Sequence, residues 1–156
     1  MMFVLEIKNM LPGFFVALFF DPPDSNAHIT LLIRKQCTRE DLQSMVNRLR
    51  FEIAAMLPLV VSINPEITIK GVERDVPTHD VYFTDEQARE KLAQLYSSMV
   101  DADSPFPTWS PHVTVDNEDK KRVVDEILEK TGGLAVLKSA KLKQLGFKDT
   151  LFEVSK

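Results

Sequence analysis

The stretch Phe14-Phe15-Val16-Ala17-Leu18-Phe19-Phe20 is a continuous apolar run bounded by Pro12-Gly13 and by Asp21-Pro22-Pro23. A membrane span needs about 20 such residues, so the run is too short to cross a bilayer. It also lacks the basic start and the small-residue end of a secretory signal. The run therefore predicts a buried central strand, and we expect a cytoplasmic protein that does not enter a membrane.

Outward from this strand, short apolar runs alternate with three amphipathic segments that carry helix-start signals. Thr38 is the expected N-cap of the first helix, Thr84 opens the second in a Thr84-x-x-Gln87 capping box, and Asn117 or Asp116 caps the third. Gly132 and Gly133 are expected to end the third helix. The other predicted strands are His28–Ile33, Leu59–Ile63, Glu66–Lys70, Asp80–Phe83, Pro111–Val115, Leu134–Leu137, Ala140–Phe147 and Leu151–Val154.

The predicted order is therefore ββαβββαβαβββ, an α+β arrangement. Leu59–Ile63 and Glu66–Lys70 form either a hairpin or one bulged strand, because Asn64-Pro65 separates them. No linker divides the chain, so we expect a single domain over residues 1–156.

Composition limits the classes of function. The 156 residues are 44% hydrophobic and 27% charged, as in globular domains, and the net charge is −4. A protein that binds long nucleic acid through its charge would be strongly basic, so we expect no long duplex as a partner. One cysteine, Cys37, and three histidines offer little material for a disulfide framework or a metal site. We therefore expect no metal and no other cofactor.

Two of the three histidines are followed, two residues later, by threonine: His28-Ile29-Thr30 and His112-Val113-Thr114. Residues i and i+2 of a strand share one face, so each motif places an imidazole beside a hydroxyl. An imidazole has an ordinary pKa near 6.5 and serves as base or acid at neutral pH. Two imidazoles with two hydroxyl donors suit the cleavage of a phosphodiester, where charge develops on phosphate oxygens.

These motifs resemble the 2H phosphoesterase superfamily, the LigT-like or RNA 2′,5′-ligase-like group. The resemblance rests on Ala27-His28-Ile29-Thr30-Leu31-Leu32 and on Trp109-Ser110-Pro111-His112-Val113-Thr114-Val115. It implies a two-lobed fold with pseudo-symmetric antiparallel sheets, flanking helices and a central cleft. It also implies His28, Thr30, His112 and Thr114 as catalytic residues of a metal-independent phosphodiesterase. The chain departs from many members in having only Asp21–Ala27, without a helix, between the first strand and the first motif.

The implied substrates are nucleotides or short oligonucleotides with a cyclic phosphate or a 2′,5′ or 3′,5′ linkage. One option within this class is the phage-type destruction of cyclic oligonucleotide immune signals. We assign His112 as the base and His28 as the acid, and the similarity of the two motifs permits the reverse.

Three further residues are candidates for substrate binding. Trp109 precedes the second motif and suits base stacking, or else anchors its proline-rich loop on the core. Tyr82 is a second candidate for stacking, with core packing as the alternative. Arg34 ends the strand that bears the first motif and suits a phosphate contact, with a solvated strand end as the alternative.

Two other classes of function stay open. A binding module would hold the same nucleotide without turnover, as a sequestering protein. A structural or interaction protein would carry the two motifs by accident. We prefer the enzyme because both His-x-Thr pairs are intact.

Overall fold

The structure is a computed structural model that describes residues 10–21, 26–71 and 73–156. The strands are β1 (Met10–Phe20), β2 (His28–Thr38), β3 (Leu59–Lys70), β4 (Val76–Phe83), β5 (His112–Thr114), β6 (Leu134–Gln144) and β7 (Phe152–Ser155). The helices are α1 (Arg39–Arg48), α2 (Glu86–Met99) and α3 (Glu118–Thr131). A π-helical turn at Leu49–Ile53 and a short α-helical turn at Ala54–Met56 continue α1 towards Pro58.

All seven strands belong to one antiparallel sheet in the order β1-β2-β5-β4-β3-β6-β7. β1 also pairs with β6, so the pairings from β1 through β2, β5, β4, β3 and β6 return to β1. The fold is thus mixed α+β, as the sequence predicts. The apolar run Phe14–Phe20 forms most of β1, which has a strand on each side and is central, as expected.

The core explains why these segments fold as they do. Phe14, Val16, Leu18 and Phe20 alternate along β1 and are almost completely buried, as are Ile29 and Leu31 of β2. Burial of each such side chain contributes about 1.5–3 kcal/mol of transfer free energy. Within the described part of the chain, no helix is long and apolar enough to cross a membrane.

Two pairs of predicted strand segments each form a single strand. Leu59–Ile63 and Glu66–Lys70 form the single strand β3, whose pairing with β4 shifts between Ile63 and Ile67, so the bulged-strand alternative is the correct one. Leu134–Leu137 and Ala140–Phe147 likewise belong to one strand that ends at Gln144. The observed order is ββαββαβαββ, with two strands fewer than predicted.

The helix caps are mostly as predicted. Thr38 caps α1 in a capping box with Asp41, and Asn117 caps α3. Gly132 ends α3 with a φ of 70°, a left-handed conformation that favours glycine. The N-cap of α2 was misplaced by one residue: Asp85, not Thr84, accepts the Ala88 N–H. The Thr84 hydroxyl instead donates to the Val60 carbonyl of β3.

Candidate active site

The two motif strands are neighbours in the sheet. Ile29 of β2 lies directly opposite Val113 of β5 in an antiparallel pair, and both side chains are completely buried. Opposite residues of such a pair share a face, and successive residues of a strand alternate between faces. The residues before and after Ile29 in β2, and before and after Val113 in β5, therefore lie together on the face away from the core.

On that face, the antiparallel register sets His28 opposite Thr114 and Thr30 opposite His112. Cβ atoms of directly opposite residues lie about 5 Å apart, and diagonal neighbours about 7–8 Å apart. The two histidines therefore occupy one diagonal of a four-residue cluster and the two threonines the other. This HxT cluster (His28, Thr30, His112 and Thr114) brings together the four side chains that the sequence singles out as catalytic.

Both histidines are oriented by the same backbone contact. The Nδ1 atom of His28 lies 2.8 Å from the Asn26 carbonyl oxygen, and Nδ1 of His112 lies 2.8 Å from that of Ser110. A carbonyl oxygen only accepts, so each Nδ1 carries the proton and donates it. Each Nε2 is therefore the nitrogen that exchanges a proton with a ligand.

The reactive atoms of the cluster are available. Among the described residues, neither Nε2 atom and neither threonine hydroxyl makes a side-chain hydrogen bond, and none of these four atoms is a buried, unpaired polar atom. Within the described ranges, other protein groups therefore do not use these atoms, which can donate to or accept from a ligand.

The surroundings lower the pKa of both imidazoles below the ordinary value. For His28 the first cause is burial, and the positive charges of Lys120 and Lys143 add to it. For His112 burial is again the first cause, and Lys70 adds to it. The backbone hydrogen bonds to Nδ1 act in the opposite direction on both pKa values.

Each histidine has a lysine–aspartate ion pair nearby. Lys70 Nζ lies 2.8 Å from Asp80 Oδ1, and Asp80 is directly opposite His112 in the pairing of β4 with β5. Lys120 Nζ lies 3.2 Å from Asp116 Oδ1. The charge of Lys120 lowers the pKa of His28, and the charge of Asp116 raises it. Burial alone raises the pKa of Asp116, but the hydrogen bond and charge of Lys120 outweigh it and lower that pKa.

Sequence reasoning missed these four residues. Asp116 was detectable, because it follows Thr114 by two residues and continues the alternation of the second motif. Lys70, Asp80 and Lys120 carried no local signal, since strand pairing and side-chain reach bring them to the site from distant positions.

A cavity of about 380 Å³ lies beside the His112 half of the HxT cluster. Thr30, Thr114 and His112 line it, together with Lys70 and Ser110, whose Nζ and Oγ atoms are 3.1 Å apart. Most of the remaining wall is apolar or aromatic: Leu31, Leu32, Ile33, Val76, Tyr96, Val100, Phe106 and Trp109. A pocket of this size with few polar groups is typical of sites for small molecules.

Trp109 lines this cavity but also anchors the loop before β5. Its side chain is only 7% exposed, its indole N–H donates to the Thr30 carbonyl at 3.0 Å, and its ring lies 5.6 Å from that of Phe83. The indole therefore fixes the loop directly over β2, which fits the anchoring alternative. Its predicted contact with a substrate base stays a prediction.

The other two candidates for substrate binding lie away from the cavity lining. Tyr82 is 56% exposed on β4, and its hydroxyl contacts the Asn64 side chain at 3.5 Å. Arg34 contacts Asp101 at 3.0 Å and donates to the Met99 carbonyl at 2.7 Å. Tyr82 nevertheless lies on the face of the HxT cluster, because it follows Asp80, the strand partner of His112, by two residues on β4. The Arg34 guanidinium is held by protein groups, and the substrate contacts of both residues stay predictions.

Other potential chemical groups are less prominent. The Cys37 thiol is buried, donates to the Pro12 carbonyl, and has its pKa raised by that burial. Within the described ranges, no group of three or more histidine, cysteine or acidic side chains is arranged to hold a metal ion.

Comparison of the chain with protein-family models and with curated proteins found no match.

Proposed function

We propose that the protein is a metal-independent phosphodiesterase that hydrolyses a cyclic phosphate or a 2′,5′ or 3′,5′ linkage in a nucleotide or short, linear or cyclic, oligonucleotide. The observation that carries the proposal is the β2–β5 register, which supports a cluster of two histidines and two threonines on one face. The matching Nδ1 contacts of the two histidines strengthen it, because both leave Nε2 for proton transfer.

In this mechanism one neutral imidazole takes a proton from water while the water oxygen attacks phosphorus. The bond from phosphorus to the leaving oxygen breaks, and the second, protonated imidazole gives its proton to that oxygen. The hydroxyls of Thr30 and Thr114 donate to the non-bridging oxygens as negative charge builds there. Proton exchange with solvent then restores both histidines.

The charges around the cluster favour one assignment of roles. His28 lies near two lysines and one aspartate, whereas His112 has one lysine and one aspartate nearby. The positive charges of Lys120 and Lys143 disfavour the imidazolium form of His28. We assign His28 as the base and His112 as the acid, which reverses our sequence-based assignment.

The proposal includes the 2H phosphoesterase relationship, the two-lobed LigT-like fold with its central cleft, and the cytoplasmic location. In its support, Ile29 and Val113 form the centre of a local two-fold arrangement, with one His-x-Thr motif on either side. Within this class, the degradation of cyclic oligonucleotide immune signals stays an option.

The second candidate is a module that binds the same nucleotides without turnover. The apolar cavity beside His112 favours it, since such a cavity can hold a nucleoside whether or not a bond is cleaved.

A hydrolysis screen in EDTA tests the proposal. Its substrates are 2′,3′-cyclic mononucleotides, 2′,5′-linked dinucleotides, and cyclic di- and trinucleotides. We expect turnover of at least one, with a loss of about 10²-fold or more in His28→Ala and in His112→Ala.

The third histidine supplies the control. His79 is buried on the opposite face, where its Nδ1 donates to the Asn64 carbonyl at 2.8 Å. His79→Gln is expected to keep the activity of its folded fraction. Binding without turnover would favour the sequestering module, and an equal loss in all three variants would contradict the assigned pair.

A further inference from the structure

The face that bears the HxT cluster continues past His28 onto two further strands. Phe19 of β1 lies opposite His28, and Ala17 lies opposite Thr30. On the other side of β1, Ala17 pairs with Lys141 and Phe15 with Lys143, both on β6. Since neighbouring strands are about 4.8 Å apart, these lysines lie about 10 Å across the sheet from β2.

Two phenylalanines connect His28 with the lysines. The rings of Phe15 and Phe19 have their centroids 5.3 and 5.4 Å from that of His28. Lys141 Nζ lies 4.7 Å from the centroid of Phe19, a cation–π contact. The groups between the His28 imidazole and the Lys141 ammonium are therefore aromatic rings, of which Phe15 is half-buried and Phe19 only 7% exposed, with no carboxylate of β1 between them.

The two lysines differ in their partners. Lys141 has the Glu153 carboxylate at 4.0 Å, a loose ion pair. Lys143 is half-buried, and no ion pair of Lys143 occurs among the described residues. A positive charge that is half-buried and lacks a carboxylate partner is a favourable place for an anion, because the anion regains the Coulomb energy that partial desolvation costs.

The opposite end of the site has different chemistry. Beyond His112 lies the largely apolar cavity, with Phe106 and Tyr96 in its wall. One direction from the HxT cluster therefore suits a nucleoside and the other an anion. The positive charge at the lysine end is a local feature, since the chain as a whole carries a net charge of −4.

We propose that Lys141 and Lys143 form a second phosphate subsite, with Lys143 as its principal residue. This inference rests on the proposed function and specifies its substrate class: an oligonucleotide or nucleotide that carries a phosphate besides the scissile one. The second phosphate is either a terminal phosphate of a linear substrate or the other phosphodiester of a cyclic dinucleotide.

Equilibrium binding tests the subsite without any need for turnover. Isothermal titration compares nucleoside 3′-monophosphates with nucleoside 3′,5′-bisphosphates in the wild type, Lys141→Met, Lys143→Met and Lys148→Met. Lys148 is the control, because it is an exposed lysine in the loop that follows β6. We expect the wild type to bind the bisphosphate at least tenfold more tightly, and Lys143→Met to lose most of this preference.

Lys141→Met should lose a smaller part of the preference and Lys148→Met none. Equal affinity of the wild type for the two ligands, or an unchanged preference in Lys143→Met, would overturn the subsite. A preference that Lys143→Met abolishes, in a protein that cleaves none of the screened substrates, would keep the subsite and reject the phosphodiesterase.

The two sources of the second phosphate are distinguished by kinetics. We compare kcat/KM of the wild type and Lys143→Met for a 2′,3′-cyclic mononucleotide, its 5′-phosphorylated form, and a cyclic dinucleotide. A loss of tenfold or more confined to the 5′-phosphorylated form assigns a terminal phosphate, and a loss confined to the cyclic dinucleotide assigns a second phosphodiester. An equal loss on all three substrates would contradict a separate subsite.

Discussion

At the scale of single residues, the pair of Nδ1 contacts does more than orient two rings. Because the Asn26 and Ser110 carbonyls only accept, they fix one tautomer in both imidazoles. The proton that moves in any acid–base step is then the one on Nε2. Each acceptor lies two residues before its histidine, in the segment that leads into the motif strand. The same segment therefore orients the imidazole and begins the strand that carries the motif.

The lowered pKa values of His28 and His112 predict how stability depends on pH. The unfolded chain binds protons at these residues near pH 6.5, whereas the folded chain binds them only at lower pH. Between these values the unfolded state holds more protons, so stability rises with pH. The free energy of unfolding is therefore expected to fall as the pH drops below about 6.5.

Urea denaturation of the wild type and of His28→Gln/His112→Gln at pH 7.5 and 5.5 measures this effect. We expect the double variant to lose less stability than the wild type over this interval. An equal loss in both proteins would show that other groups cause the dependence. Asp116 does not interfere with this comparison. Its pKa is lowered from the ordinary value of 3.8, so its effect on stability changes mainly at pH values below that value, outside the interval from pH 7.5 to 5.5.

The catalytic candidates were predictable from the sequence, whereas most of their charged neighbours were not. A His-x-Thr spacing in a strand already determines that both side chains share a face. The presence of Asp80 beside His112 depends instead on the pairing of β4 with β5, for which no local sequence pattern exists.

At the scale of elements, the N-terminus of α2 shows how two adjacent polar residues compete for one role. Thr84-x-x-Gln87 satisfies the capping-box pattern, and Asp85 is also a good N-cap. The Thr84 hydroxyl is already bound to the Val60 carbonyl of β3, so Asp85 caps the helix. Local sequence permits both, and the neighbouring strand determines which occurs.

Single substitutions separate the two roles. We expect Asp85→Ala to lower the free energy of unfolding by about 1 kcal/mol, because the Ala88 N–H loses its acceptor. Thr84→Ala should cost less, since Thr84 is exposed and water replaces its hydroxyl as donor to the Val60 carbonyl. Denaturant titrations of both variants check this order, and a larger cost for Thr84→Ala would contradict it.

At the scale of the whole molecule, the return of the strand pairings to β1 is the feature that sequence reasoning did not find. β5 has only three residues, yet it joins β2 to β4 and carries half of the HxT cluster. β1 and β6 pair although more than a hundred residues separate Phe15 from Lys143. Such contacts depend on packing of the complete core, which explains why hydrophobic patterns predicted the strands but not their neighbours.

The same long-range organisation gives Arg34 several protein partners, while the phosphate contact expected from sequence stays a prediction. Its guanidinium binds Asp101 and the Met99 carbonyl, at the end of α2 and the start of the segment 101–111. Asp101 also accepts the Lys35 N–H at 3.0 Å. Since Phe106 and Trp109 of this segment wall the cavity, Arg34 connects β2 to one side of the candidate site.

We therefore expect Arg34→Ala to lower the free energy of unfolding by about 2 kcal/mol, because hydrogen bonds to a charged group contribute roughly 1.5–3 kcal/mol. Amide hydrogen exchange should become faster in residues 101–108 than in α3, since the lost contacts hold only the former. Arg89→Ala, a substitution at an exposed arginine of α2, is the control and should change neither quantity. Arg34→Ala could instead leave stability and exchange unchanged and weaken the binding of a phosphate-bearing ligand. That result would show that Arg34 contacts the substrate and does not hold the segment 101–111.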